Sequence, residues 1–431
     1  MELEEKNSSH DGALHTPNDD TNAQDHKDDV TDTPPRNSNI SNFDILFLVI
    51  SIVTHCTDVC VDVNIVVQYY RHDKIPMFIW TIALILIPSF INTVVSLQMY
   101  RQDEEKNIDN DEHPSICKKV LKKTWETIVV AIIVVSQFTM AHRSFRSLKF
   151  ALKSRNCMKK NDKMGQRKYF IKMLKEEQDI ALLRVLECFI EAAPQQILQL
   201  SIFVQDYYGE FSLLTVHQVI SIASSFISLA WAMVSYHRSI RLAQTDKKNI
   251  HFIGSVLQFF WYFCITTARI ACVSAAAISS TLCVISACFI HWLGMTLWII
   301  LESRGLITFC RNPKRAPHLP LTIMEKIKST LFSCVLGFVY IFIYLNPEDS
   351  GTYAKHLFYY SICLLENLAA SILVLSSLPA DVEIVRYHYI VSAFCIIPFM
   401  IGIILMIIYY IKYHPTLKHH TYSFSKLLRL H

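Results

Sequence analysis

The sequence predicts an all-α polytopic membrane protein with about eight transmembrane helices and two partial, re-entrant helices, arranged in two pseudo-symmetric halves. Three observations carry this. Of 431 residues, 52% are hydrophobic and only 18% charged, too apolar a balance for an ordinary soluble chain. Ten apolar stretches approach the ~20 residues needed to cross a ~30 Å hydrocarbon core. Lys and Arg are concentrated in a few of the connections, which fixes orientation and shows that not every stretch crosses.

The N-terminal region comes first. Residues 1–42 hold ten acids against three bases with no apolar periodicity, so they read as a disordered acidic cytoplasmic tail. The tail lacks the basic start and apolar run of a secretory signal. Apolar segments come next at about 44–69, 76–100, 124–142, 180–204 and 212–237. A second set lies at about 251–278, 280–301, 329–345, 355–378 and 388–412. Residues 143–175 carry twelve bases and one acid, Asp162, while 238–248, 304–328 and the tail after Ile411 are also basic; all four are expected in the cytoplasm. If the N-terminus is cytoplasmic too, two spans already return the chain inside before segment 124–142, which must then enter and leave on one face. Such a segment is tolerated where its irregular end is packed in protein. The second half repeats the pattern, and its shortest segment, 329–345, is expected to fail to cross. The expected units are therefore 1–42, 43–248, 249–413 and a short basic cytoplasmic tail at 414–431, with the middle two related by duplication around a midplane site.

Charges inside these segments are the candidate functional residues, since each costs roughly 2.5–3.5 kcal/mol near a bilayer centre on insertion scales. Asp58 and Asp62 lie four apart in the first segment. Arg184, Glu187, Glu191, Gln195 and Gln199 recur at steps of three and four, which aligns them on one face of a regular helix. The second half contributes Arg269 at the depth of Asp62, and Glu366 with Asn367 as the counterpart of Glu191. An acid in one half facing an arginine in the other, Asp62 with Arg269, is the expected pairing. Together these groups read as a polar route through the bilayer, weighed against structural ion pairs between helices.

Other chemistries are disfavoured. Nine glycines and no GxGxxG or GxxxxGK[ST] string argue against nucleotide hydrolysis. Thirteen cysteines stand singly, mostly in apolar runs and without a CxxC pair, so they read as small hydrophobes. His55 near Asp58 and Asp62 has no HExxH string or second histidine to make a zinc site. No metal, cofactor or nucleic acid is expected.

The runs LECFIEAAPQQILQLSIF (186–203) and FYYSICLLENLAASILVL (358–375) resemble the two signatures of XK-related membrane proteins. Asp44, Asp58, Asp62 and the TARIACV run around Arg269 resemble family positions as well, and the likeness extends over about residues 43–413. The resemblance implies eight spans plus two partial helices. It also implies a plasma-membrane protein, not an enzyme, that scrambles phospholipids and exposes phosphatidylserine after caspase cleavage in apoptosis. Other members of the family act as partners of membrane or lipid-transfer proteins, so a non-scrambling scaffold is the alternative. Expected partners are phospholipids, the membrane, a caspase, and an accessory membrane subunit or a second copy of the chain. In this reading Asp58, Asp62, Glu187 and Glu191 receive amine or choline groups, Arg184 and Arg269 receive phosphate, and Glu366 belongs to the same path. The tail 412–431 has no acid, so the cleavage candidate is Asp29-Val-Thr-Asp32 near the N-terminus.

Overall fold

The computed structural model describes residues 40, 42–71, 73, 75–107, 139–206, 213–243, 250–302, 310–311, 319–345, 353–376 and 382–413. Every regular element among them is helical. In chain order these are α1 (Asn42–Arg71), α2 (Ile75–Asn107), α3 (Thr139–Lys159), α4 (Lys163–Glu187), α5 (Ala193–Asp206) and α6 (Leu213–Ala243). The rest are α7 (Phe252–Ser279), α8 (Thr281–Glu302), α9 (Ile323–Val339), α10 (Tyr353–Ser376) and α11 (Val382–Ile408). By length and composition, six stretches of the described helices can cross a membrane: Phe78–Tyr100, Val219–Leu242, Phe252–Ser279, Thr281–Glu302, Ala354–Ser376 and His388–Tyr413. α1 contains a shorter apolar stretch, Leu48–Thr57.

α7 is the hub. Its apolar and small residues are buried on most sides, as expected of a helix surrounded by other helices. α5, α6, α8, α10 and α11 pack around it. Small residues allow close approach in such packing. A Cβ on Gly402 of α11 would lie 2.8 Å from Ile265 of α7, and one on Gly337 of α9 would lie 2.2 Å from Thr296 Oγ1 of α8.

The residues from 163 to 206 form one continuous rod. α4 runs into a π-helical turn at Cys188–Ala192 and then into α5. Pro194 explains the turn: it has no N–H for the Ile190 carbonyl, and the helix widens so that the Ala193 N–H reaches the Cys188 carbonyl instead. At ~1.5 Å per residue the rod is about 66 Å long, roughly twice the hydrocarbon thickness. α4 pairs with α3 as a helical hairpin. Asn161 takes the left-handed conformation at the bend (φ 56°), and the Asp162 side chain caps α4 by accepting from the Gly165 N–H at 2.9 Å. Ala151, Phe170, Met173 and Leu174 fill the seam, and Ile40 and Leu48 at the start of α1 join them. Residues 143–175, expected as a basic connection, are thus an ordered antiparallel pair.

The second expected partial helix is described from 319 to 345. α9 starts on a capping box, with Thr322 accepting from the Glu325 N–H at 3.2 Å and Glu325 accepting from the Thr322 N–H at 2.8 Å. It ends at Val339, and residues 340–345 continue without helix while almost wholly buried. Glu302 at the end of α8 and Lys355 at the start of α10 form an ion pair at 3.0 Å, so the chain leaves and returns at one level. Of the expected partial segment 329–345, α9 supplies the helical part, and the chain between 345 and 353 lies outside the described residues. Of the matching segment 124–142, residues 124–138 lie outside the described residues. Residues 139–142 open α3, where Thr139 meets Thr93 inside the α2 span (Oγ1 to Oγ1, 2.7 Å).

Candidate functional site

The most tightly connected polar group among the described residues lies between α7, α8, α10 and the end of α9. Arg269 of α7 is buried, and its position among apolar helices obliges every N–H to find an acceptor. Nε and Nη2 donate to the Ile341 carbonyl at 3.2 and 2.9 Å. Nη1 donates to Asn367 Oδ1 at 2.8 Å and to the Cys363 carbonyl at 3.5 Å. Nη2 also pairs with Glu366 Oε2 at 2.8 Å. The other Glu366 oxygen is 2.6 Å from His291 Nδ1 of α8, and His291 Nε2 is 2.9 Å from the Tyr340 carbonyl. Tyr359 donates to the same carbonyl at 2.7 Å, and Asn367 Nδ2 reaches the Cys395 carbonyl of α11 at 3.3 Å.

The arginine therefore finds its carboxylate in its own half. Arg269 pairs with Glu366, because α10 presents acid and amide side by side at 366 and 367, and the side chain of Asp62, its expected partner, is outside the described residues. The side chains of Asp44, Asp58 and Asp62 lie outside the described residues. His291, Cys363 and Glu366 also bring metal-ligand atoms within 4.8 Å of one another. The guanidinium on Glu366 and the two hydrogen bonds of the imidazole make this a poor cation site, since a fixed positive charge already occupies it.

The second polar group lies between α1 and the α4–α5 rod. Arg184 Nη2 donates to Ser51 Oγ at 2.8 Å, and His55 Nδ1 lies 3.6 Å from Glu187 Oε1. Arg184 and Glu187 are half-exposed, whereas Glu191 is buried within the π-helical turn. The predicted stripe from Arg184 to Gln199 is not straight for this reason. One extra residue in the turn rotates the downstream helix by about 100°, so Glu191 points inward while Gln196, not Gln195, becomes buried beyond it.

A third group was missed from the sequence. Arg143 in α3 was counted with the basic surface but is fully buried. It donates to Asp179 at 2.6 Å, Glu176 at 3.2 Å, and the Ser96 hydroxyl and carbonyl at 2.7 and 2.9 Å, with its guanidinium carbon 4.0 Å from the Tyr100 ring centre. Arg146 shares Glu176 at 3.1 Å, and Ser147 donates to Glu177 at 2.6 Å. A signal was present: a hairpin bending at Asn161 places 143 opposite 179 and 146 opposite 176. Three acids at the end of the basic run are thus absorbed by its first turns. Lys149, Lys153, Lys159, Lys160, Arg167 and Lys168 remain exposed farther along the hairpin. Cys310 is buried near Lys328, and burial pushes its thiol up to about 11, in keeping with an inert small hydrophobe.

The family model of XK-related proteins matches residues 46–415. The chain is 27% identical over 394 residues to cell death abnormality protein 8 of Caenorhabditis elegans, covering 90% of this chain and 82% of that protein. It is 26% identical over 397 residues to cell death abnormality protein 8 of Caenorhabditis briggsae, covering 90% and 81%.

Proposed function

Since the chain belongs to the XK-related family, we propose that it is a phospholipid scramblase, a lipid translocator rather than an enzyme, that lets phospholipids exchange between leaflets without ATP and so exposes phosphatidylserine. The observation that carries this reading is the half-exposed Arg184–Ser51 and His55–Glu187 face between α1 and the α4–α5 rod. A phospholipid head cannot leave water unaided, and alternating cationic and anionic side chains at an exposed helix seam replace that water while the acyl tails stay in lipid. Arg184 suits phosphate and Glu187 suits choline or amine, and Asp58 and Asp62, farther along α1, are assigned to the same path. Arg269, Glu366 and Glu191 are assigned to holding the helices, because the first two spend their hydrogen bonds on each other and on neighbouring groups, and the third is enclosed.

The relatives named for cell death support a role in apoptosis; the plasma membrane is assigned with that role, and the basic segments at 143–175 and after Ile411 support cytoplasmic termini. Cleavage by a caspase after Asp32 removes all ten acids and two of the three bases of the tail, a large change in charge beside a basic hairpin. Purified full-length protein in liposomes carrying a dithionite-quenched fluorescent lipid tests the activity. Cleavage after Asp32 should raise the quenched fraction from about half towards completion, since only the outer leaflet is reached without scrambling. Quenching that stays at half after cleavage refutes the reading. In cells given an apoptotic stimulus, Asp32→Ala should abolish the shorter fragment and surface phosphatidylserine; an unchanged fragment moves the cut elsewhere. The α3–α4 hairpin, with its exposed bases, favours a second reading as a scaffold that docks a lipid-transfer protein. That reading expects inert liposomes, with or without an accessory subunit.

A further inference from the structure

We propose that the face of the α3–α4 hairpin built on Phe150 and Tyr169 binds the phosphorylated headgroup of an inositol lipid in the adjoining leaflet. α3 supplies Arg146, Phe150 and Lys153 at steps of four and three, which aligns them on one side of that helix. α4 supplies Tyr169 and Lys172. The hairpin brings the two sets onto one surface, where the Phe150 and Tyr169 rings stack with centroids 6.5 Å apart. Lys153 Nζ of α3 stands 5.3 Å from the Tyr169 ring centre, and Lys172 Nζ of α4 stands 6.0 Å from that of Phe150. The Arg146 guanidinium carbon is 5.9 Å from the Phe150 centre.

Three cations around two rings call for an anion. Like charges gathered on one surface repel, and contact with ring faces offsets only part of that where water is near. Glu176 answers Arg146 alone, since this almost sealed carboxylate gives one oxygen to Arg146 at 3.1 Å and the other to Arg143 at 3.2 Å. Lys153 and Lys172 remain exposed. Their stems lie along the aromatic pair, which keeps both ammonium groups at this surface instead of spread through solvent. Ammonium and guanidinium groups held in this way suit phosphate oxygens.

The position of the surface names the source of the phosphate. α3 runs beside the end of the α2 span in the same direction, through Thr139 on Thr93, Arg143 on Ser96 and Arg146 on Tyr100, whose ring centre is 4.5 Å from the guanidinium. Tyr100 is the last residue of that span. Along α3, Phe150 lies about 6 Å and Lys153 about 10 Å beyond Arg146. The headgroup layer of one leaflet is about 5–7 Å deep. A compact serine headgroup therefore meets Arg146, whereas an inositol ring carrying further phosphates projects to Lys172 and Lys153. The assignment holds whether the chain exchanges lipids or serves as a scaffold.

Photo-crosslinking of the full-length protein in phosphatidylcholine nanodiscs that carry a small fraction of photoreactive phosphatidylinositol bisphosphate tests this. Crosslinked peptides should cover 146–153 and 169–172, and crosslinks that map elsewhere in the wild type overturn the proposal without any variant. Lys153→Gln combined with Lys172→Gln should lower the yield at least about tenfold at an unchanged melting temperature, because each lost charge weakens such attraction several-fold. Lys159→Gln combined with Lys160→Gln removes the same charge from the bend of the hairpin, about a Debye length away, and should change the yield by less than about twofold. Phosphatidylserine added at equal total charge should displace little of the probe. A yield that falls as far with the bend change, or that phosphatidylserine competes away, reduces the surface to diffuse attraction and overturns the proposal. An unchanged yield in the Lys153, Lys172 variant overturns it as well and leaves the surface to an acidic protein segment.

Discussion

Arg269 in α7 and Arg184 in α4 are both arginines on apolar helices, but the structure treats them differently. Arg269 is enclosed, its donors consumed by the Ile341 carbonyl, an amide and a carboxylate, with the Cys363 carbonyl at the limit of bonding distance. Arg184 gives a hydrogen bond to Ser51 across a helix seam and stays half-exposed. Their acids are about equally open, with 33% of the Glu366 side chain and 30% of the Glu187 side chain exposed, but Glu366 is bound on both oxygens by Arg269 and His291, while Glu187 lies 3.6 Å from His55. A charge that is fully paired inside a protein is expensive to disturb and has little left to offer a ligand. A charge held at a half-exposed seam can exchange its partner for a passing headgroup.

The largest expected effect comes from breaking the enclosed side. Arg269→Gln should cost about 3–5 kcal/mol, because it takes the guanidinium from Glu366 Oε2 and the Ile341 carbonyl, and should leave little folded protein as judged by melting in detergent. Arg143→Gln should behave similarly, because it removes a fully buried guanidinium that binds Asp179, Glu176 and Ser96. Folded, normally melting Arg269→Gln protein would collapse the distinction. Gly337→Ala should cost roughly 1–3 kcal/mol by forcing α9 from α8, and adding Thr296→Ala, which removes the nearest atom, should restore part of the melting temperature. Next comes the seam. Glu187→Gln should lower the scrambling rate of cleaved protein roughly tenfold, about the worth of one charge-assisted contact, with the melting temperature nearly unchanged. The smallest effect belongs to the hairpin, where Lys153→Ala should change stability by less than about 0.5 kcal/mol, and a loss of lipid transport there would point to the scaffold reading instead.

Much of the fold was legible because lipid imposes a length on apolar segments and the basic connections impose parity. The expectation that α9 is re-entrant comes from two counts, its shortness and the side on which Lys and Arg must lie, and the structure shows a short helix, Ile323–Val339, where that segment was expected. Anything that depends on which helices touch was beyond reach. Arg269 is legible as a costly charge, but sequence depth alone does not distinguish Asp62 from Glu366 as its partner. The stripe from Arg184 was drawn at regular helical steps, and Pro194 was not used to foresee the π-helical turn that bends it. Arg143 was lost among twelve bases because the hairpin had been treated as a connection. The Asn161–Asp162 bend and the acids at 176, 177 and 179 would have revealed the pairing.

The measurement that bears most directly on this division of labour is the lipid-exchange rate of the Arg184→Gln, Glu187→Gln double variant in liposomes, taken together with its melting temperature after activation. The account predicts a protein that melts within a few degrees of wild type and exchanges lipid at least about tenfold more slowly. A double variant that is equally stable and exchanges lipid at the wild-type rate would contradict it, because the seam between α1 and the α4–α5 rod would then carry no headgroup.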